Sequence, residues 1–117
     1  MRQTEKDNVR SSFLGETKNI GTKEYKINGN TIILKQLTVG QASEIRKKNT
    51  KDGVLNELEL GLDMLILCSY TKDTNERIFD EADKETFRKM PANGVLDDIL
   101  FAITEVNWTE ADEAKKT

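Results

Sequence analysis

The alternation of apolar and polar residues changes character twice along the chain. Residues 1–22 are polar, with Val9, Phe13, Leu14 and Ile20 as the sizeable interruptions, and they keep neither a helical nor a strand period. Such a stretch is expected to form a flexible polar arm. The alternative is that Phe13-Leu14 serves as a short docking motif for a partner or a neighbouring subunit.

From Lys23 onward the period is two. Tyr25 and Ile27 alternate with Glu24 and Lys26, Ile32 and Leu34 alternate with Ile33 and Lys35, and Asn28-Gly29-Asn30 lies between the two runs. This predicts a β-hairpin with a tight turn. An Asn28-Gly29 loop sets Ile27 opposite Asn30, whereas a Gly29-Asn30 loop sets Ile27 opposite Ile32 and Tyr25 opposite Leu34. The second register is preferred, because it pairs apolar residues directly and puts Gly29 where a type II′ turn needs it.

Beyond Leu37 the period becomes helical. Thr38 and Gln41 form a capping-box pair, Val39, Ala42 and Ile45 give a thin stripe, and Arg46-Lys47-Lys48 suits the negative end of a helix dipole. Lys51-Asp52-Gly53 is the break. A central helix is expected over residues 54–70, with Leu55, Leu58, Leu62 and Leu65 as its seam and Glu57, Glu59 and Asp63 outside it. Its second half, Met64 to Cys68, is apolar on every side and reads as the core. After a polar turn and Ile78-Phe79, Asp80 caps a short helix carrying Phe87 and Met90 inward and stopped by Pro91. A last helix is expected over residues 94–105 with Asn93 as its cap. Asn107-Trp108 closes the fold.

The expected architecture is therefore mainly α. About four helices pack around a central apolar helix with a small N-terminal β-hairpin, in one domain over residues 23–108 between the arm and a polar tail, residues 109–117. The chain has 117 residues, within the size of one domain. Its 18 Lys and Arg against 21 Asp and Glu give a net charge of −3, where phosphate binding usually brings a basic excess, so nucleic acid is disfavoured. No apolar run nears the ~20 residues of a membrane span. The first residues lack the apolar stretch of a secretory leader.

Histidine is absent, which removes the commonest general base and most zinc chemistry. The single cysteine, Cys68, sits in an apolar run and reads as inert. Asp97-Asp98, Glu57 with Glu59, and Glu81 with Asp83 and Glu85 lie on polar helix faces or in first turns, where acids serve the dipole. No catalytic residue, metal or cofactor is expected.

The order of elements resembles the tail assembly chaperones of long-tailed bacteriophages. The matching stretches are Leu37-Thr38-Val39, Leu62 to Tyr70, Ile78-Phe79 through Asp83 to Pro91, and Val95 to Asn107. The resemblance covers about residues 23–108 and rests on a helix cap and helix boundaries. It implies a domain in the host cytoplasm that binds the tape measure protein, a long aggregation-prone helical chain, and keeps it soluble while the tail tube grows. It also implies a longer frameshifted form that recruits tail tube protein, for which an A-rich run encoding Ala114-Lys115-Lys116 would be the slippery site. A holdase for amphipathic helices needs apolar surface beyond its own core. Phe79, Met90, Leu100, Phe101 and Trp108, at element ends or off stripe centres, are the candidates, with self-association through the same surface as a corollary. The alternatives are another phage or prophage structural or adaptor protein, and a small helix-turn-helix DNA-binding regulator.

Overall fold

The computed structural model describes residues 4–109, and of Thr17, Lys18, Trp108 and Thr109 it describes the backbone alone. Ala114-Lys115-Lys116 and the rest of residues 110–117 lie outside it. Within residues 1–22, where no period was legible, Thr4 and Asp7 form a capping box and start helix α1, Glu5–Leu14. A 3-10 turn, Gly15–Lys18, continues it. None of the described residues of α1 is buried.

The hairpin follows as β1, Thr22–Ile27, and β2, Asn30–Lys35. Its register is Ile27 opposite Asn30 and Tyr25 opposite Ile32, so the loop is Asn28-Gly29 and not the preferred Gly29-Asn30. Both loop residues have positive φ, 48° and 82°, which makes a type I′ turn. The two registers differ by two residues, and a two-residue slip leaves every side chain on its own face. Hydrophobic pattern therefore could not choose between them. The turn did, through the tolerance of Asn and Gly for left-handed backbone.

Helix α2, Val39–Lys48, begins as its sequence dictates: the Thr38 hydroxyl accepts from the Gln41 N–H at 3.1 Å and the Gln41 side chain accepts from the Thr38 N–H at 3.0 Å. Only Ile45 of its stripe is fully buried, and Val39 is 88% exposed. The expected break is a small hairpin of β3, Thr50–Lys51, and β4, Val54–Leu55, turning on Asp52 and Gly53 at φ 52° and 78°. Asn56 then caps helix α3, Glu57–Cys68, by accepting from the Glu59 N–H.

Two corrections follow at α3. The helix is shorter than residues 54–70 at both ends. At its C-terminus the chain passes into β5, Ser69–Thr71, which pairs antiparallel with β2 to complete a sheet of order β1-β2-β5. The fold is thus mixed α/β, not a mainly α domain with a small hairpin: five α-helices, a three-stranded sheet and a two-stranded sheet among the described residues. A short apolar run has no period that separates helix from strand, and β2 needed a partner that the run's last residues supply. The second correction is Asp63, expected outside the seam and found 4% exposed.

Asp80 caps a 3-10 turn, Glu81–Asp83, that leads into α4, Lys84–Arg88. Helix α5, Val95–Thr104, starts with Asp97 accepting from the Asn93 N–H, so Asn93 (φ 60°) acts through its backbone and not as the side-chain cap expected. A π-helical turn, Glu105–Thr109, ends the described chain. Leu34, Leu62, Leu65, Cys68 and Ile103 form the driest part of the core, where the inner face of the sheet meets α3 and α5. Tyr25 donates to Asp98 at 2.7 Å and Lys23 pairs with Glu105 at 2.8 Å, fastening β1 over α5. Asn107 ties the end of the sheet to α5, since its Oδ1 accepts from the Leu37 N–H and its Nδ2 donates to the Ile103 carbonyl, both at 2.9 Å.

Candidate protein-interaction surface

An ion cluster lies between α2, α3 and α4. Asp63 Oδ1 lies 2.7 Å from Lys84 Nζ and 3.4 Å from Lys48 Nζ, while Asp63 Oδ2 accepts from Asn49 at 2.7 Å. Lys84 also reaches Glu81 at 3.0 Å. Burial alone would push the Asp63 carboxyl up. The hydrogen bonds from Lys84 and Asn49, with the charges of Lys84 and Lys48, outweigh it and hold the carboxyl below its usual range. Lys84 is likewise held above the usual ammonium value by Asp63 and Glu81 against its own desolvation. Every charge in the cluster meets an opposite one, so none is left buried and uncompensated.

The thiol of Cys68 is pushed up to about 11 by burial, which keeps it protonated and unreactive. Tyr25 rises to about 12 through desolvation and its hydrogen bond to the Asp98 carboxylate. Among the described residues no three His, Cys, Asp or Glu side chains are grouped to hold a metal ion. No helix of the described residues is long and apolar enough to cross a membrane.

The five residues singled out from the sequence are not alike. Phe79 stacks edge-on against Phe87, with ring centroids 5.3 Å apart, and is half-buried. Met90 and Leu100 also pack against the core, Leu100 over Gly61 of α3. These three largely finish the core. Phe101 stays 66% exposed on α5. The side chain of Trp108 lies outside the described residues.

The larger share of exposed apolar surface lies elsewhere. Val9, Phe13 and Leu14 of α1, Ile20 before β1, and Val39 at the first position of α2 are all exposed. Phe13, Leu14, Ile20, Leu37 and Val39 line a groove of about 530 Å³ between the N-terminal segment and the start of α2. Val39 begins the first turn of α2, where the chain has just left the sheet, and its side chain faces the groove rather than α3.

Phe13-Leu14 was visible in sequence as a possible docking motif, whereas Val39 was assigned inward with Ala42 and Ile45. The only cue to its position was its place immediately after Thr38.

Comparison with known protein families, with curated proteins and with solved structures finds no match for this chain.

Proposed function

We propose that this chain is a non-enzymatic chaperone of phage tail assembly, acting in the host cytoplasm to bind the tape measure protein and keep it soluble until the tail tube encloses it. The observation that carries the reading is the open apolar groove formed by Phe13, Leu14, Ile20, Leu37 and Val39. An amphipathic client helix lays large side chains into such a groove at successive turns, and the charged remainder keeps the complex in solution. The order of elements that resembles the tail assembly chaperones supports the identity of the client. A longer frameshifted product would add the tail tube protein as a second partner.

The test is co-expression with the long helical chain that this reading expects to be encoded directly downstream. The wild type is expected to hold that chain in the soluble fraction and to co-purify with it. Val39→Asp places a charge in the groove without touching the core, so the client should return to the pellet. Equal rescue by both forms, or no gene for a long helical chain nearby, would overturn the reading.

A further inference from the structure

Helix α1 poses a physical problem. It has ten residues, none of its described residues is buried, and isolated helices shorter than ~12–15 residues are marginal in water. Its capping box supports one end only, and its last turn carries no basic residue to meet the dipole. Along one side, Lys6, Val9, Phe13 and Glu16 follow at spacings of three, four and three, the seam of a two-helix contact. Val9, Phe13 and Glu16 line a shared concavity together with the small residues Asn8 and Ser12, which let a second helix approach closely.

We propose that α1 pairs antiparallel with α1 of a second copy of this chain, Val9 of each packing against Phe13 of the other. The charge pattern selects this occupant. With Val9 opposite Phe13 of the second copy, the register sets Lys6 of each copy opposite Glu16 of the other, so a two-fold axis near Ser11 generates two identical ion pairs. The same arrangement brings a cation to the C-terminal end of each α1, where the helix has none of its own. A parallel pair would instead stack Lys6 on Lys6 and Glu16 on Glu16. A standard interface covers ~800 Å² per partner, and two helices of this length cover on the order of half that, so the pairing is weak.

This pairing shares Phe13 with the groove of the proposed function, but it is probed by variants outside that groove's apolar lining. Sedimentation equilibrium of the full chain is expected to show a monomer–dimer equilibrium. Lys6→Glu turns both ion pairs repulsive and should weaken the dimer about tenfold, given the modest strength of exposed pairs. The exchange Lys6→Glu with Glu16→Lys rebuilds both pairs and should restore the wild-type constant, although Glu16 gives up its contact with Asn19. Val9→Asp should leave only monomer. Because α1 stands outside the core, thermal unfolding of the body is expected to stay unchanged in all of them, and Val39→Asp is expected to dimerise normally. A wild type that stays monomeric at millimolar concentration would overturn the pairing. So would a charge exchange that fails to restore it, or an α1 that gains protection only when a foreign amphipathic helix is added.

Discussion

Asp63 and Lys84 bring opposite charges into the interior at 4% and 7% exposure, and each is held there by the other. Removing one partner of a buried pair leaves an uncompensated charge, typically a loss of 3–5 kcal/mol. Lys84 can still reach Glu81 and, at 3.9 Å, Glu59, so Asp63→Ala belongs at the lower end, about 3 kcal/mol by denaturant unfolding. Replacing both partners together, Asp63→Leu with Lys84→Met, should cost less than Asp63→Ala alone. The pH dependence has a definite sign. The folded carboxyl of Asp63 titrates below its unfolded value of about 3.9, so its stabilisation is complete above that pH and is lost as pH falls through the folded value. Unfolding midpoints followed from pH 6 downward should drop below about pH 4 in the wild type, and less steeply in Asp63→Asn. The sequence showed an acid flanked by Leu62 and Met64 in an apolar run, which is a cue to burial. It did not show Lys84 or Asn49, because neither lies at helical spacing from it.

Elements were legible where they carry a local code. Thr38 with Gln41 and Asp80 with Asp83 mark helix starts because each is a hydrogen-bond exchange completed within four residues. Thr4 with Asp7 is the same code, but no apolar period follows it to mark a helix, and the third strand is information held at a distance. The three-strand sheet depends on Ser69–Thr71 meeting β2 across more than thirty residues, and nothing in a local period encodes that meeting. Helix α3 also contains Gly61, placed where α5 crosses closely. A methyl group there would sit 3.5 Å from Leu100, an ordinary contact. Gly61→Ala is therefore expected to stabilise the protein by about 0.5–1 kcal/mol, through lost freedom of the unfolded chain. A destabilised variant would mean that α3 and α5 lie closer than this packing allows.

On the scale of the whole molecule, exposed apolar side chains also stand singly at Val54, Leu58 and Phe101, but several line one groove where the N-terminal segment faces the start of α2. Composition could state that the chain carries few tools for chemistry, but it could not say where the surface lies. Phe79, Met90 and Leu100 looked as available as Phe13 until the fold placed those three against the core, while Val39, read as part of a helix stripe, proved exposed. The most direct test of the account is hydrogen–deuterium exchange on the protein with and without a synthetic amphipathic helix of the proposed client. Binding at the groove predicts added protection in residues 9–20 and 37–40, with little change in α4 and α5. Protection centred on Phe101 and the π-helical turn instead, or none at all at saturating peptide, would contradict it.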